Sequence, residues 1–514
     1  MNKFALLDCT LRDGGYYTNW DFHSDTVKTY LNSFNSLPVE YLEVGYRNPQ
    51  SDGYYGEYYF CPPETLQFLK DESDKKLAII LNEKDVRVEM IDALLDPCQG
   101  IVTMVRMAID PVNFNRALEL AEVIKDKGFE VAFNVMYMST WDNHPEMMDS
   151  LHCLDGTVDY LYLVDSFGGV FPNDVKSIIK RVRSRTKVKI GFHGHNNLEL
   201  ALANTLAAIE EGVDIVDATI TGMGRGAGNL KTELLLTILD VDGSLDYDAL
   251  SEVTAVFKQL QEQHKWGTSL PYMVSGSKSL PQKQVMEWVS QDLFSFNTII
   301  RAIRNQAKGI LDNHQKLPLF TKPLQDDMSC IIVGGGSSVI DHSEAIKSFL
   351  NKNPKSLIIH ASSKNSMIFE NSDLNQIFCL VGNEGYRIES ILSNKGFVGK
   401  AVLPPYPRKM GTYIPQIVLE RAFELDSMGS FQDFSDSHTA IALRVAEIFR
   451  SNKIYLLGYD GYSENKIGEK EMNLFNENEY LFSVWSKRYD CKISSLTKTK
   501  YSQVNHDTIY SKIS

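Results

Sequence analysis

The sequence predicts a (β/α)8 barrel over residues 1–244, a helical region over 245–325 and a smaller α/β domain over 326–514. Three observations support this: the chain length, a globular composition, and a regular alternation of short apolar runs with longer amphipathic ones. The chain has 514 residues, whereas single domains usually have about 100–250, so we expect more than one domain. Hydrophobic residues make up 43% and charged residues 23%, which excludes a largely disordered or collagen-like chain.

The first part of the chain contains eight short runs rich in β-branched and aromatic residues, as buried parallel strands are. In chain order they are FALLDC (4–9), YLEVGY (41–46), LAIIL (77–81), IVTMVRM (101–107), EVAFNVMY (130–137), DYLYLVD (159–165), VKIGFH (188–193) and VDIVDATI (213–220). Amphipathic patterns lie between them, and two of these end in a glycine suited to a helix C-cap, Gly128 and Gly212. Eight such units fit a closed barrel better than the alternative, an open doubly wound sheet.

The second part of the chain begins with a mainly helical pattern and continues with a second α/β alternation. We expect helices over 284–291 and 297–309, and we place the domain boundary near 326, within KPLQDD (322–327). Candidate strands of the second domain lie in CIIVGGG (330–336), SLIIHAS (356–362), IFCLVGNEG (377–385) and KIYLLGYDG (453–461).

The acidic balance of the chain, with a formal net charge of −14, argues against non-specific binding to nucleic acid or to an anionic membrane. The apolar runs are shorter than the roughly 18–20 residues that cross a bilayer, and the start lacks a secretory pattern, so we expect a cytoplasmic protein. The seven cysteines never form a CxxC pair, which predicts free thiols instead of disulfides or a structural zinc site. We expect small-molecule partners and a homo-oligomer.

Polar residues follow several of the predicted barrel strands, at the end of a barrel where reacting groups lie. The loop after the first strand, DCTLRDGGYYTNW (8–20), contains a predicted tight turn at 12–15 that carries both charge signs. After the seventh strand, His193 and His195 are two residues apart and therefore project to the same face. With Asp13 they would form a two-histidine, one-carboxylate site for a divalent metal.

The loop after the eighth strand, TGMGRGAGNLKTE (221–233), is rich in glycine and supplies Asn229 as a neutral oxygen donor. It does not match a dinucleotide fingerprint, because Ala227 stands where the third glycine belongs. Close helix–strand packing and anion binding are both open for this loop. Glu43 is expected to orient Arg12 through an ion pair, and the tyrosine-rich segment 46–60 could form a lid or a sugar-contacting wall. Candidate substrate-binding residues at the strand ends are Asp8, Arg47, Arg106, Asn134, Asp165, Ser166, Gly224 and Arg225.

Three ordered segments, LLDCTLRDGG, FHGHNN and TGMGRGAGN, together resemble the signature of the DRE-TIM metallolyases. This superfamily of TIM barrels includes HMG-CoA lyase, isopropylmalate synthase and 4-hydroxy-2-oxovalerate aldolase, and the resemblance covers about residues 4–240. It implies that Asp13, His193 and His195 bind Mn²⁺ or Mg²⁺, with Asn229 as a fourth ligand. It also implies a 2-oxo acid substrate such as pyruvate, with Arg12 hydrogen-bonded to the oxygen of the enolate.

The acid–base group departs from the pattern of these families. The hydroxy-oxovalerate aldolases carry a histidine three residues after the metal aspartate, where this chain has Tyr16. The cysteine of HMG-CoA lyases has no counterpart, because residues 219–233 contain no cysteine. Tyr16 or Tyr17 could transfer the proton if a nearby cation and Arg12 lower its pKa. A metal-bound water and a purely structural role for these tyrosines are the alternatives.

The second domain combines a strand, a glycine-rich turn and a candidate helix in CIIVGGGSSVIDH (330–342), a form suited to holding phosphate. It distantly resembles the nucleotide-sugar-using, sialyltransferase-like proteins of bacterial surface-glycan synthesis. Nucleotide or nucleotide-sugar binding is one hypothesis, and a non-catalytic docking or dimerisation module is the other. The candidate ligand residues are Gly334, Gly336, Ser337, Asn383 and Asp460.

Three functions are consistent with these patterns. The first is a divalent-metal aldolase or lyase acting between a pyruvate-type enolate and an aldehyde, which could be a sugar derivative of surface-glycan metabolism. The second uses an acyl-CoA on the same metal site. The third is a glycosyltransferase-like or bifunctional glycan-biosynthesis protein whose barrel is a scaffold. The chain has no long basic tract suited to a CoA diphosphate, which favours the first.

Overall fold

The computed structural model describes residues 4–290, 294–310, 315–321, 328–370, 372–392, 396–408, 412–462 and 468–514. The chain divides into two compact units, Met1–Met286 and Glu287–Ser514. The domain boundary predicted near 326 lies outside the described residues. Among the helices that are described, none is both long enough and apolar enough to cross a membrane.

Parallel strands of the first unit close into a barrel in sequence order, which confirms the predicted (β/α)8 architecture. The strands are β1 (Ala5–Asp8), β2 (Tyr41–Tyr46), β3 (Lys76–Asn82), β4 (Val102–Ile109), β5 (Glu130–Val135), β6 (Tyr160–Asp165), β7 (Lys189–Gly194) and β8 (Ile215–Ala218). Each one overlaps a run predicted from the sequence. Closure is completed by parallel pairing of β1 with β8, in which Leu7 lies opposite Asp217.

Helices alternate with these strands and continue beyond the barrel. They are α1 (Thr10–Thr18), α2 (Ser24–Ser36), α3 (Glu57–Phe60), α4 (Pro63–Glu72), α5 (Ile91–Leu95), α6 (Phe114–Asp126), α7 (Pro145–Asp149), α8 (Pro172–Arg183), α9 (Ala201–Glu210), α10 (Thr232–Leu239), α11 (Tyr247–His264), α12 (Leu270–Gly276) and α13 (Gln282–Ser290). Gly128 and Gly212, which follow α6 and α9, have φ of +88° and +78°, as expected of C-cap glycines. The tight turn predicted at residues 12–15 is wrong, because these residues lie inside α1.

The inside of the barrel is filled in layers, because alternate residues of each strand point inward. The lower part of the interior is mainly apolar and includes Leu7, Tyr41, Ala78, Met104, Ala132, Tyr160 and Ile215. Two residues further along β2, β4, β5 and β8, the same inward positions carry Glu43, Arg106, Asn134 and Asp217, all buried. The alternation therefore places a polar layer directly on an apolar support, at the end of the barrel where a site can form.

The second unit contains an open sheet of parallel strands, which confirms a second α/β domain. Its strands are β9 (Cys330–Val333), β10 (Leu357–His360), β11 (Gln376–Cys379), β12 (Lys400–Leu403), β13 (Ala422–Glu424), β14 (Ile454–Leu457), β15 (Ile493–Ser495) and β16 (Asn505–His506). Their order across the sheet is β13-β12-β11-β10-β9-β14-β15-β16. The helices are α14 (Phe296–Ala307), α15 (Ser338–Asp341), α16 (Ser343–Lys352), α17 (Glu384–Leu392), α18 (Gln416–Leu419), α19 (His438–Ile448), α20 (Glu469–Arg488) and α21 (Ile509–Ile513).

Candidate active site

A cavity of about 650 Å³ opens at the C-terminal ends of the barrel strands. Its walls combine residues that the sequence predicted with others that it did not. The predicted site residues that line it are Arg12, Asp13, Tyr16, Asn134, Ser166, His193, His195 and Arg225. Those outside the lining are Asp8, Tyr17, Glu43, Arg47, Arg106, Asp165, Gly224 and Asn229. The structure thus brings half of the site residues predicted for the barrel to one cavity, and most of the other barrel residues contact its lining from outside.

Helix α1 positions Arg12 and Asp13 at the floor of this cavity. Arg12 forms an ion pair with Asp13 and donates from Nε to Glu43 Oε2 over 2.7 Å. This contact agrees with the predicted orientation of Arg12 by Glu43. The indole of Trp20 donates to the Arg12 carbonyl over 2.9 Å. It packs so closely on the helix that a Cβ at Gly15 would lie 2.2 Å from the ring, which explains a glycine inside a helix.

Asp13 is held in its anionic form by the charges around it. Burial by itself raises the pKa of Asp13, but the positive charge of Arg12 and the nearby imidazoles outweigh it, so the pKa lies below its ordinary value. Asn229 also donates from Nδ2 to Asp13 Oδ2 over 2.6 Å. A carboxylate in this state is ready to bind a cation.

His193 connects the Asp13 carboxylate to a second buried carboxylate on β8. Its Nε2 lies 3.8 Å from Asp13 Oδ2, and its Nδ1 lies 2.8 Å from Asp217 Oδ2. Burial raises the pKa of Asp217, but Arg106 and His193 outweigh this effect and lower it. Asp217 therefore accepts the Nδ1 proton and leaves Nε2 directed at Asp13, an arrangement typical of metal-binding histidines.

His195 is oriented in a similar way by a backbone group. Its Nδ1 lies 2.8 Å from the carbonyl oxygen of Asp165, so Nδ1 carries the proton and Nε2 has the lone pair. The ring centroids of His193 and His195 are 4.9 Å apart, as their spacing along one strand face predicts. Burial lowers the pKa of His195 to about 3, which keeps the imidazole neutral, the form that binds metals.

Cys9, Asp13 and His193 offer ligand atoms within 4.8 Å of one another, the one such group of three found in the described part of the chain. His195, which the sequence predicted as a ligand, is not a member of this group, whereas Cys9 belongs to it because it lies one helical turn before Asp13. Burial and the Asp13 charge raise the pKa of Cys9, so it is a neutral thiol and a poor ligand for a hard cation.

The side chain of Asn229 indicates whether a metal ion would fit at this site. Its Oδ1 is buried and, among the described residues, has no hydrogen-bond donor. A buried oxygen in this condition is costly unless a cation or another donor binds it. With one carboxylate and two imidazoles beside it, the donor set suits Mn²⁺ or Mg²⁺.

Arg106 lies in the polar layer under the cavity and does not reach it. It is fully buried, pairs with Asp217 over 2.5 Å and with Glu43 over 3.0 Å, and donates from Nε to Asn134 Oδ1 over 3.1 Å. The substrate-binding role predicted for Arg106 is therefore not supported by its contacts. Asp217 was not predicted from the sequence. Its position two residues after the inward-facing Ile215 is a signal that could have identified it.

Two further strand-end residues are engaged by the protein itself. Both carboxylate oxygens of Asp8 accept hydrogen bonds, from Tyr30 over 2.8 Å and from Thr232 over 2.6 Å, and burial raises the pKa of Asp8 to about 6. The guanidinium of Arg47 donates to the carbonyls of Leu94 and Phe60 over 2.7 and 2.9 Å. Both side chains tie structural elements together instead of facing a substrate.

Of Asp165, Ser166 and Gly224, which were predicted at the ends of β6 and β8, only Ser166 lines the cavity. Burial raises the pKa of Asp165 to about 6, and its carboxylate accepts from the backbone N–H of Gly169 over 3.2 Å, so it shapes its own loop. Ser166 lines the cavity, but its hydroxyl already accepts from a backbone N–H, that of Tyr137. At Gly224 a Cβ would lie 2.6 Å from the Asn229 amide, so this glycine allows close packing on Asn229.

The two candidate acid–base tyrosines are separated by the structure. Tyr16 lines the cavity, its hydroxyl lies 3.2 Å from that of Tyr46, and the Arg225 guanidinium lies 5.6 Å from its ring centroid. Tyr17 instead donates to the Gly226 carbonyl over 3.0 Å, away from the cavity lining. Burial raises the pKa of Tyr17, opposite to the lowered pKa expected from the sequence.

The glycine-rich turn of the second unit is closed by its own side chains. Asp460 accepts from the backbone N–H of Ser338 over 3.0 Å and from its hydroxyl, so a carboxylate occupies the place predicted for a phosphate. The N–H group of Gly334 donates to the carbonyl of Leu457, the last residue of β14, and that of Gly336 donates to the carbonyl of Gly458. Because α15 has only four residues, it also offers no helix terminus for an anion. The predicted phosphate site is therefore not supported.

The remaining residues predicted to bind a ligand in this unit have separate positions. Ser337 is exposed at the start of α15. Asn383 follows β11 and contacts Ser295 and Arg301, with Arg301 donating to its Oδ1 over 3.3 Å. Among the described residues, no hydrogen bond joins Asn383 to the glycine-rich turn.

Comparison with known proteins identifies the barrel. A family model described as HMGL-like matches residues 99–260. Over 265 residues the chain is 31% identical to a 4-hydroxy-2-oxovalerate aldolase of Roseiflexus castenholzii, a match that covers 49% of this chain and 76% of that protein. The chain belongs to the HMGL-like family. This membership confirms the resemblance to the DRE-TIM metallolyases.

Two further matches of this HMGL-like protein extend the comparison. An oxaloacetate decarboxylase of Mycobacterium tuberculosis is 28% identical over 249 residues, covering 47% of this chain and 71% of that protein. The crystal structure of the N-terminal domain of a candidate aldolase from Bacteroides vulgatus is 52% identical, with a TM-score of 0.56. It covers 58% of this chain and 100% of that chain. The names of the aldolase and the decarboxylase both describe enzymes that cleave carbon–carbon bonds, so the comparisons support a carbon–carbon lyase.

Proposed function

We propose that this protein is a divalent-metal-dependent aldolase that makes or breaks a carbon–carbon bond between a pyruvate-type enolate and an aldehyde. One observation carries the proposal: Asp13, His193 and the Arg12 guanidinium meet at the floor of one cavity. A cation site beside a fixed positive group is what stabilisation of an enolate requires.

Asp13, His193 and His195 would hold Mn²⁺ or Mg²⁺, with Oδ1 of Asn229, which has no hydrogen-bond partner among the described residues, as a further ligand. When bound, the metal would polarise the carbonyl group of a 2-oxo acid as a Lewis acid. Asp217 and the Asp165 carbonyl keep the two imidazoles in the tautomer that leaves Nε2 available.

Arg12 and Arg225 have complementary tasks in this proposal. Arg12 is fixed by Glu43 and Asp13 and lines the cavity, so its remaining N–H groups can donate to the enolate oxygen. Arg225 also lines the cavity, is half-buried, and pairs with no carboxylate in the described part of the chain. We assign it to the substrate carboxylate, which a guanidinium binds with two parallel hydrogen bonds.

Tyr16 is the group that we assign to proton transfer. In the synthetic direction the enolate carbon attacks the aldehyde carbon, and the Tyr16 hydroxyl gives its proton to the aldehyde oxygen. In cleavage the hydroxyl at carbon 4 gives its proton to the Tyr16 tyrosinate while the carbon–carbon bond breaks, and the Tyr16 hydroxyl then gives this proton to the enolate carbon. The neighbouring Tyr46 hydroxyl, 3.2 Å away, can stabilise the tyrosinate.

Exchange of the pyruvate methyl hydrogens in D₂O tests enolate formation without any aldehyde. We expect the wild-type protein with Mn²⁺ to catalyse the exchange and a chelator to abolish it. Arg12→Ala should slow it by about 10²–10³, the usual effect of losing one donor to an oxyanion. Full exchange by Arg12→Ala, or none by the wild type, would contradict the proposal.

An acyl-CoA substrate is the second candidate, and two lysines favour it. Lys84 and Lys283 are exposed at the cavity lining, where they could bind a diphosphate. Isothermal titration of the Mn²⁺-loaded protein with pyruvate and with acetyl-CoA separates the two candidates. We expect heat of binding from pyruvate, and binding of acetyl-CoA alone would favour the second.

A further inference from the structure

We infer that the aldehyde acceptor is an open-chain aldose, a polyhydroxylated aldehyde, bound between an aromatic wall and two amide side chains of the cavity. This inference rests on the proposed aldolase function and names its second substrate. Three features of the cavity carry it: its volume, the aromatic residues after β1 and β2, and the polar residues after β3 and β4.

The cavity is larger than a pyruvate and a short aldehyde require. Its volume of about 650 Å³ lies within the range of about 300–1,000 Å³ typical of pockets that bury drug-sized ligands. Pyruvate and acetaldehyde together are much smaller than such a ligand. A longer acceptor would fill the remaining space, whereas a short one would leave it to water.

One wall of the cavity is aromatic. We call Trp20, Tyr46, Tyr55 and Tyr59 the aromatic wall, and all four line the cavity. Tyr59 lies at its centre, with ring centroids 4.9 Å from Trp20, 5.5 Å from Tyr46 and 4.2 Å from Tyr55. Aromatic rings present a negative face to the weakly positive C–H groups of a carbon chain, and tyrosine hydroxyls add hydrogen bonds.

The neighbouring wall of the cavity presents two side-chain amides. Asn82 ends β3 and Asn113 follows β4, and both are half-buried in the cavity lining. Among the described residues no hydrogen bond involves either side-chain amide. Each amide offers two donors and an acceptor oxygen. Hydroxyl groups can satisfy these atoms, whereas the methyl group of a short apolar aldehyde cannot.

The order of the strands places the proposed metal ligands, the aromatic wall and the two asparagines one after another around the cavity. Around the barrel, β7, β8 and β1 are neighbours, with the proposed metal ligands and Arg12 on or just after β7 and β1, and β2, β3 and β4 follow β1. A substrate that starts at the Asp13–His193 end therefore meets the aromatic wall first and the two asparagines next. An extended chain of hydroxylated carbons fits this sequence of contacts.

The bond change is an aldol addition and needs no further reactant. The pyruvate methyl carbon loses one proton and forms a bond to the aldehyde carbon of the aldose. The former aldehyde oxygen gains one proton and becomes a hydroxyl. The product is a 2-oxo acid with a hydroxyl at carbon 4 and the remaining hydroxyls beyond it.

The experiment measures kcat/KM for pyruvate addition to acetaldehyde, glyceraldehyde, erythrose and arabinose, with concentrations counted as free aldehyde. The full-length Mn²⁺-loaded protein is used, and methyl exchange of pyruvate alone is measured in parallel. We expect erythrose or arabinose to exceed acetaldehyde at least tenfold. This expectation follows from two or more added hydrogen bonds of about 1 kcal/mol each.

Variants locate the contacts. Asn113→Ala should lower the ratio of aldose to acetaldehyde kcat/KM about tenfold, and Tyr59→Leu should lower it similarly. Asn113→Ala also covers the case in which the larger change at Tyr59 prevents folding. Tyr54→Leu is the matched control, because Tyr54 belongs to the same tyrosine-rich segment but is 71% exposed and outside the cavity lining.

The outcomes separate the inference from the proposed function. Methyl exchange together with equal or better use of acetaldehyde would overturn the aldose acceptor and leave the aldolase standing. The same holds if both variants keep the wild-type ratio. Absence of exchange would overturn the aldolase function, and the acceptor inference with it.

Discussion

His193 Nδ1 lies 2.8 Å from Asp217 Oδ2 at the point where β7 and β8 enter the polar layer of the barrel. Asp217 pairs with Arg106, Arg106 pairs with Glu43, and Glu43 accepts from Arg12. A continuous set of buried charges therefore joins a proposed metal ligand to the proposed enolate-binding guanidinium. Rigid support of this kind keeps both groups in place before substrate arrives.

Asp217→Asn should weaken Mn²⁺ binding about 10–100-fold, because residues that orient a metal-binding histidine typically have effects of this size. The amide removes the negative charge that raises the basicity of the His193 imidazole through its Nδ1 proton. Isothermal titration gives the Kd. Asp142→Asn is the control, since Asp142 pairs with Arg181 on the surface. An unchanged Kd for Asp217→Asn would contradict the positioning role.

Tyr16→Phe should reduce kcat for aldol cleavage about 10²–10⁴-fold through loss of the proton-transfer group. Tyr17→Phe should change kcat only a few-fold, because the Tyr17 hydroxyl is bonded to the Gly226 carbonyl. Steady-state cleavage of a 4-hydroxy-2-oxo acid across pH compares the two variants. Equal loss in both, or none in Tyr16→Phe, would point to another acid–base group.

Arg225→Gln should raise KM for pyruvate about 10–100-fold, since a hydrogen bond to a charged group contributes about 1.5–3 kcal/mol. We expect kcat to change less, because the substrate carboxylate carries the same charge throughout the reaction. Arg181→Gln, on the surface, controls for loss of one positive charge. If Arg225→Gln keeps the wild-type KM, the carboxylate binds elsewhere.

His360 makes the stability of the second unit depend on pH. It is buried between Phe369 and Phe378, and burial lowers the pKa of His360 from 6.5 to about 4. The unfolded chain binds this proton below pH 6.5 and the folded chain does not, so stability falls as the pH decreases from about 6.5 to 4. The full effect is on the order of 3 kcal/mol.

Calorimetry at pH 7, 5 and 4 checks this expectation. His360→Phe keeps a ring in the stack and removes the titrating group, so its Tm should fall less between pH 7 and 4 than that of the wild type. His23→Phe is the control, because His23 is exposed at the start of α2. An equal fall in His360→Phe would show that other groups cause the loss.

The barrel and part of its site could be predicted from the sequence. Buried parallel strands are short apolar runs, so each could be recognised from its own residues. The positions that follow β1 and end β7 then identified Asp13, His193 and His195 as site residues. What they contact could not be predicted, because side-chain partners depend on register. Asp217 lies 24 residues from His193, and only the pairing of β7 with β8 brings them together.

In the second unit, local sequence predicted a phosphate site that the structure does not support. The glycine-rich segment after β9 has the composition of a phosphate loop, and local sequence cannot distinguish an open loop from a closed one. Asp460, 122 residues away, occupies the place of the anion. Strands β12, β13, β15 and β16 were not predicted, because runs of two to four residues carry little alternation.

The most direct measurement is anomalous diffraction at the manganese absorption edge from crystals grown with Mn²⁺ and pyruvate. The account predicts a strong peak bonded to Asp13, His193 and His195, with pyruvate between it and Arg12. A peak at another place in the molecule, or an empty floor of the barrel cavity at saturating Mn²⁺, would contradict it.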